Sequence, residues 1–377
     1  MDSRNIAQLW ETSLPLWDSD KDNTIVCCQV RQETHDVKSF YFSPLNPSIF
    51  KFLPGQFITL ELPIAGEIIN RSYTISSSPT RPHVISITVK RQPNGIVSNW
   101  LHDHMQVGTQ LSVLGPTGDF SCMHHPASKY LFLSGGSGIT PLMSMARSFH
   151  ELAEDADIVF VHSARSPADI IFRYELDLMA FNQPHFRQAY ICQKVDKKPN
   201  WRMQPEFITE GFLTLDSLKL IAPDFLEREI FTCGPAPYMA AVRNMLVTAI
   251  GFDMRHYHEE SFTFDELPAE VKLEVIADEE AAAADASIDN LSFSIELTKS
   301  GTTIQCAPNQ FVLDAAREAG LRLASSCSKG LCGTCKSKLI SGKVDMKHGG
   351  GIRQREIDQG MFLPCCSKPL ENLVIEK

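Results

Sequence analysis

No apolar run in this sequence reaches the roughly 18–20 residues that a bilayer-crossing helix needs. Its opening stretch, "MDSRNIAQLWETSLPLWDSD", carries acids throughout and shows no basic-then-apolar leader. A soluble, cytoplasmic protein with no membrane partner is therefore expected. Positive charge is also scarce: 35 Lys and Arg stand against 45 Asp and Glu, a net charge of −10. That balance excludes non-specific nucleic-acid binding by the chain as a whole. There is no internal repeat. The glycine-rich turn "LSGGSGITPLMSM" is not G-x-G-x-x-G, so an ordinary Rossmann dinucleotide fold is not indicated. Cysteine is not lacking, with 11 in the chain, but a cytoplasmic setting argues against a disulfide framework. Cys27, Cys28, Cys122, Cys192 and Cys306 read mostly as small buried hydrophobes.

At 377 residues and 43% apolar content, the chain suits two or three domains, each with its own core. Residues 1–20 form an extension with no assigned place. Residues 21–125 read as all-β, with runs such as "IVCCQVRQE", "VKSFYFSP", "QFITLELP" and "VISITVKRQ" separated by Pro, Gly and Asn; a small barrel is expected. Residues 126–264 alternate strand and helix ("KYLFLSGG", "TPLMSMARSFHELA", "DIVFVHSA", "EIFTCG"), which implies a parallel sheet covered by helices. Residues 265–290 hold nine acids and one lysine and read as a solvated acidic linker. Residues 291–377 begin with a hairpin turning near Ser300-Gly301, continue through a helix "FVLDAAREAG" closed by Gly320, and end in a strand "NLVIEK".

The densest chemistry lies in "SSCSKGLCGTC". Cys327, Cys332 and Cys335 are spaced C-x4-C-x2-C, and Cys365 follows at a distance. Four thiolates suit zinc or iron–sulfur. Zinc sites usually use C-x2-C pairs, whereas this spacing is that of plant-type [2Fe–2S] centres. Ser328, Gly330, Gly333 and Thr334 are small enough to let backbone N–H groups turn toward sulfides. The stretch resembles plant-type ferredoxins over residues 291–377, and that pattern implies Cys365, rather than its neighbour Cys366, as the fourth ligand.

Upstream, "RSYTISS" carries Arg71, Ser72, Tyr73 and Thr74. Arg71 can pair with a phosphate, Tyr73 can lie against an aromatic ring and Thr74 can hydrogen-bond a ring nitrogen. Alone, this is equally a plain strand with an exposed arginine. It is followed by "ITVKR", with Val89 and Lys90, and by "GIVSNWL". There Gly95 opens a helix whose N–H groups can receive a pyrophosphate, and Ser98 adds a hydroxyl. Together these resemble the ferredoxin–NADP reductase superfamily, and the second element implies FAD.

Gly135, Gly136 and Gly138, with Thr140 and Pro141, form a strand-to-helix turn open to a pyrophosphate. The resemblance places the nicotinamide at Cys233, Gly234 and Pro235 in "FTCGPAPYM", where a small thiol leaves room beside the ring. It places Arg165 of "HSARSPADIIFRYEL" on the adenosine side, and favours NADH because no basic cluster demands a 2′-phosphate. "HEESF" matches its ending, with Glu260 positioning hydride or proton and Phe262 covering the flavin. The implied catalytic set is Thr74, Cys233 and Glu260. His256 and His258 alternate on the same strand, but no partner spacing accompanies them and no metal site is expected there.

The order of motifs implies electron transfer from NADH through FAD and [2Fe–2S] to a protein acceptor. The implied fold is multidomain: a β-barrel flavin domain, an α/β nucleotide-binding domain and an α+β β-grasp ferredoxin domain. Past residue 20 the chain resembles the NADH oxidoreductase of the hybrid cluster protein, through "RSYTISSSP", "GDFSC", "GITPLMSM" and "GLCGTCKSKLISG". That implies an acceptor active on nitric oxide or hydroxylamine. The alternative is the reductase component of a Rieske-type oxygenase acting on betaine- or carnitine-like substrates. A redox-sensing binding module is the remote alternative, against which the pairing of flavin and nicotinamide motifs argues. Residues 291–377 hold twelve Lys and Arg against eight Asp and Glu. Lys329, Lys336 and Lys338 around the cysteine loop are thus expected either to dock an acidic partner or to form an ordinary solvated surface.

Overall fold

Six strands open the fold, β1 (Thr24–Thr34), β2 (Val37–Pro44), β3 (Phe57–Ile64), β4 (Glu67–Thr74), β5 (Ile85–Lys90) and β6 (Gln110–Thr117), hydrogen-bonded in the order β4-β3-β6-β1-β2-β5. The structure is a computed structural model and describes residues 14–195, 207–261, 292–325, 333–348, 354–376 and, singly, Ser328, Gly330, Gly351 and Ile352. Phe262, Cys327, Lys329, Cys332 and the expected acidic linker lie outside the described residues. Alternate residues point inward along each strand: Ile25 and Cys27, Phe40 and Phe42, Ile58, Leu60 and Leu62, Ile85, Ile87 and Val89 are all buried. The two edges are joined just past β4, where Ile75 bridges Ile87 and Ser76 N–H donates to Ser86 O at 2.7 Å. The sheet is thereby closed into a barrel, which removes its open edges. Part of the unassigned extension lies against it. Trp17 N–H donates to Ile49 O at 2.8 Å, and its buried ring sits 5.1 Å from that of Phe50. Helix α1 (Ile96–His104) is tied to the barrel where the His102 ring meets Val89 O at 2.9 Å.

The second sheet is parallel throughout. It comprises β7 (Lys129–Gly135), β8 (Asp157–Ala164), β9 (Phe186–Cys192), β10 (Phe207–Glu210), β11 (Glu229–Gly234) and β12 (Tyr257–Ser261), in the order β10-β9-β8-β7-β11-β12. Helices α2 (Ile139–Leu152) and α3 (Arg173–Asn182) cover one face, and α4 (Leu215–Ile221) and α5 (Ala236–Thr248) the other. Successive residues of β7 and β8 feed opposite cores. Phe132 and Phe160 pack under α2 and α3, while Leu131, Leu133, Val159 and Val161 pack under α4 and α5. The strand order reverses between β7 and β11, the place where open parallel sheets leave a crevice. Within this first unit, the barrel and the parallel sheet meet through α2: Ser144 Oγ donates to Ser77 O at 2.7 Å, and Arg147 bonds Ser76 O while pairing with Glu175 at 2.7 Å.

The second unit is a smaller α+β fold. Strands β13 (Phe293–Leu297), β14 (Thr302–Cys306), β15 (Ser337–Ser341), β17 (Met361–Phe362) and β19 (Leu373–Glu376) run in the order β14-β13-β19-β15-β17, and β16 (Val344–Met346) pairs with β18 (Ser367–Pro369). β13 and β19 pair in parallel, so the first and last strands lie side by side in the sheet. The expected hairpin is present, with Leu297 opposite Thr302. Helix α6 (Val312–Glu318) buries Val312, Ala315 and Ala316 against this sheet and ends before Gly320, at φ +76°. A last short helix, α7, spans Gln354–Asp358. No helix among the described residues is long and apolar enough to cross a membrane.

Candidate functional site

In the barrel, Arg71, Ser72 and Tyr73 lie half-buried on β4, and Thr74 ends the strand. Thr74 is only 4% exposed, and its hydroxyl has no hydrogen-bond partner among the described residues. A buried hydroxyl left in that state is costly, so it fits a ligand atom. Val89 is buried in the barrel wall, and Lys90 beside it lies 3.4 Å from Asp36. Gly95 caps α1, whose first turn holds no acid. A side chain at Gly95 would stand 2.6 Å from Ser98 Oγ. Ser98 Oγ instead accepts from Gln92 N–H at 3.1 Å and donates to Gly95 O at 3.3 Å, so it braces the turn that presents the helix N-terminus.

At the switch point the three glycines have a packing reason. A Cβ on Gly138 would stand 2.3 Å from Cys233 O, and one on Gly135 or Gly234 would meet the Tyr238 ring at 2.9 or 2.7 Å. Only bare backbone lets the ends of β7 and β11 and the start of α2 approach so closely. Gly136 takes the left-handed conformation, φ +53°; Thr140 Oγ1 donates to Ser137 O at 3.1 Å, and Pro141 sits in the first turn of α2. The α2 N-terminus, free of acidic residues in its first turn, suits an anion.

Cys233 is fully buried, flanked in register by Ser134 of β7 and Glu260 of β12. Burial, reinforced by the Glu260 charge, pushes its thiol well above the usual range, so it stays protonated and is no nucleophile. Behind it His162 is wholly buried, its Nδ1 2.7 Å from Ser134 Oγ. Burial, with a smaller effect from Lys90, lowers its pKa to about 3, so the ring is neutral. Nothing in the sequence singles out His162, because its contact with Ser134 depends on the β7–β8 register. Pro235 caps α5 directly after β11. Arg165, expected to reach a phosphate or ribose, pairs with Asp36 of the barrel at 2.8 Å. Asp36 also faces Lys90, which makes it a shared counter-ion that the sequence did not reveal.

In the second unit, Cys335 and Cys365 are both buried, with sulfurs 3.2 Å apart. Gly330 N–H points at Cys365 Sγ from 3.2 Å, while Cys366 Sγ donates to Leu363 O at 3.6 Å. Gly330 and Gly333 adopt φ +70° and +73°; a Cβ on the first would stand 2.6 Å from Cys366 Sγ, and on the second 2.5 Å from Gly351 O. Two buried thiols, one of them met by the Gly330 N–H, fit an iron–sulfur cluster. Sequence reasoning missed Arg317 of α6, which grips the loop through Ser325 Oγ at 2.8 Å and Ser328 Oγ at 3.2 Å. Lys336 is paired with Glu356 at 2.5 Å, so of the two described loop lysines Lys338 is the exposed one.

A closed barrel with an unsatisfied hydroxyl, a parallel sheet with a glycine-lined switch point and a thiol-bearing α+β unit together make up a flavin-dependent electron-transfer oxidoreductase. Family profiles agree: "oxidoreductase FAD-binding domain" matches residues 26–122, "oxidoreductase NAD-binding domain" 132–244 and "2Fe-2S iron-sulfur cluster binding domain" 295–370. The chain is 46% identical to the glycine betaine monooxygenase reductase subunit of Chromohalobacter salexigens over 96% of each chain. It is 40% identical to the stachydrine N-demethylase reductase subunit Stc4 of Rhizobium meliloti, over 93% of this chain and 95% of that one. Phthalate dioxygenase reductase shares the fold, with a TM-score of 0.56 at 23% identity over 96% of this chain and 100% of that one. The chain belongs to the family of ferredoxin–NADP reductase-like reductase subunits that carry a C-terminal [2Fe–2S] domain, and it uses FAD, NAD and that cluster. These relatives correct the expected kinship with the reductase of the hybrid cluster protein. The motifs that suggested it belong to the shared three-domain construction and do not encode the acceptor.

Proposed function

We propose that this chain is the NADH-dependent reductase component of a Rieske-type oxygenase that acts on a betaine-like N-methylated substrate. The observation that carries the proposal is the near-full-length identity to glycine betaine monooxygenase reductase subunits. Bound here, FAD would supply the conversion between two-electron hydride chemistry and one-electron transfer to the cluster. The chain's residues hold and orient these groups. Arg71, Ser72, Tyr73, Val89, Lys90 and the N-terminus of α1 at Gly95 receive the flavin nucleotide, and Thr74 offers its hydroxyl to the ring. Gly135, Gly136, Gly138, Thr140 and Pro141 shape the nicotinamide nucleotide's pyrophosphate site. Cys233, Gly234 and Pro235 leave a flat, dry floor for its ring, with Glu260 alongside and Phe262 following. Cys327, Cys332, Cys335 and Cys365 are the proposed cluster ligands.

The test is reconstitution with purified acceptors, in aerated buffer for the oxygenase, whose demethylation consumes O2, and without air for hybrid cluster protein. NADH oxidation coupled to substrate demethylation is expected with a glycine betaine oxygenase and not with hybrid cluster protein. Faster electron delivery to hybrid cluster protein would sink the assignment.

A further inference from the structure

Glu229, at the start of β11, has imidazoles around its carboxylate. His258 Nε2 lies 2.7 Å from one oxygen and His256 Nδ1 lies 2.5 Å from the other. His125, in the segment that leads into β7, stacks on His258 with ring centroids 3.7 Å apart. Candidate ligand atoms of His125, Glu229 and His258 all lie within 4.8 Å of one another. Phe231 walls the group, its ring 4.7 Å from that of His258 and 6.1 Å from that of His125. The cluster gathers segments more than a hundred residues apart, which is why the His256–His258 spacing alone gave no sign of it. It sits where β11 and β12 begin, while Cys233 and Gly234 sit where β11 ends. It is therefore separate from the nicotinamide site.

We propose that His125, Glu229 and His258 form a binding site for a divalent transition metal of the zinc class, with His256 holding the second carboxylate oxygen. Two imidazole nitrogens and one carboxylate are a zinc donor set that leaves a position for water. His256 acts as an outer partner that fixes the carboxylate's orientation. Half-buried Glu229 and nearly buried His258 form the floor, and exposed His125 closes the site from the solvent side. The ion would fasten the segment between the barrel and β7 to the β11–β12 pair. The site is independent of the electron acceptor.

The experiment uses the holoenzyme, dialysed against a chelator and titrated with zinc chloride in competition with a chromophoric zinc indicator. Iron and flavin are measured on the same samples. One zinc per chain is expected. His258→Gln and His125→Ala should each weaken binding by more than the roughly 10–100-fold that outer partners contribute, with iron and flavin content unchanged. His125 is exposed, so its truncation keeps the fold even if the His258 variant does not. Absence of zinc binding by the wild type would overturn the proposal. So would wild-type affinity in His125→Ala, which would place the ion elsewhere.

Discussion

Thr74 buries a hydroxyl that no described residue satisfies, a state that costs roughly 1–3 kcal/mol if it stays dry. Thr74→Val should therefore leave thermal stability unchanged or raised, yet slow NADH-driven flavin bleaching by about 10–100-fold through loss of one bond to the ring. Anaerobic stopped-flow absorbance checks this; an unchanged rate would remove Thr74 from the flavin site. Arg228 makes a different case. It is fully buried and bonds Asp157 at 3.0 Å, Asp224 at 2.8 Å and the Tyr130 and Asp157 carbonyls. Arg228→Ala strands the buried Tyr130 carbonyl and leaves two part-exposed carboxylates without their partner, and should cost about 1–3 kcal/mol in denaturant melts. Burial opposes ionisation of Asp224, but hydrogen bonds from Arg228 and Lys129 bring its pKa down from 3.8 to about 2. A lowered folded-state pKa means this contribution is whole above 3.8 and fades as pH falls toward 2. Stability followed by far-UV circular dichroism should decline across that interval, and Asp224→Asn should flatten the decline.

At the scale of elements, close approach of backbones sets the sites. Gly138→Ala drives a methyl into Cys233 O, which must part α2 from β11. The expected result is a higher KM for NADH and a lower melting temperature, with flavin content intact. Gly330→Ala combines a collision at Cys366 Sγ with a left-handed φ. It should lower iron content per chain while leaving flavin bleaching by NADH within about twofold, as metal analysis and absorbance would show. Such sites were legible in the sequence because a glycine turn, a strand alternation or a C-x4-C-x2-C loop is specified by neighbours a few residues away. Arg165 with Asp36, Arg147 with Glu175 and His125 with His258 were not legible. Each joins elements whose meeting depends on strand register and helix packing, which no local pattern carries. Trp17 belongs with these, since its partners Ile49 and Phe50 lie well beyond any local pattern around it. The start of α3 is set in a related way: Ile170 and Ile171 are buried ahead of Phe172, which takes φ +56° at the helix N-cap.

For the whole molecule, reduction and delivery are assigned to separate units. Electrons enter where the barrel and parallel sheet carry their motifs, and leave from the unit that begins at β13. Cys335→Ser should thus abolish transfer to an oxygenase while sparing NADH-dependent reduction of a two-electron dye, measured on the same preparation. Loss of both activities together would contradict this division. The acceptor's identity was not legible, because recognition resides in a surface and not in a cofactor motif.

The parallel seam between β13 and β19 has a consequence for how the second unit is made. Residues 373–376 occupy the middle of its sheet, between β13 and β15. A nascent chain that has not yet emptied these four residues from the ribosome has a gap where its central stave belongs. Assembly must wait for translation to pass them, and a premature stop only a few codons upstream would forfeit the entire sheet.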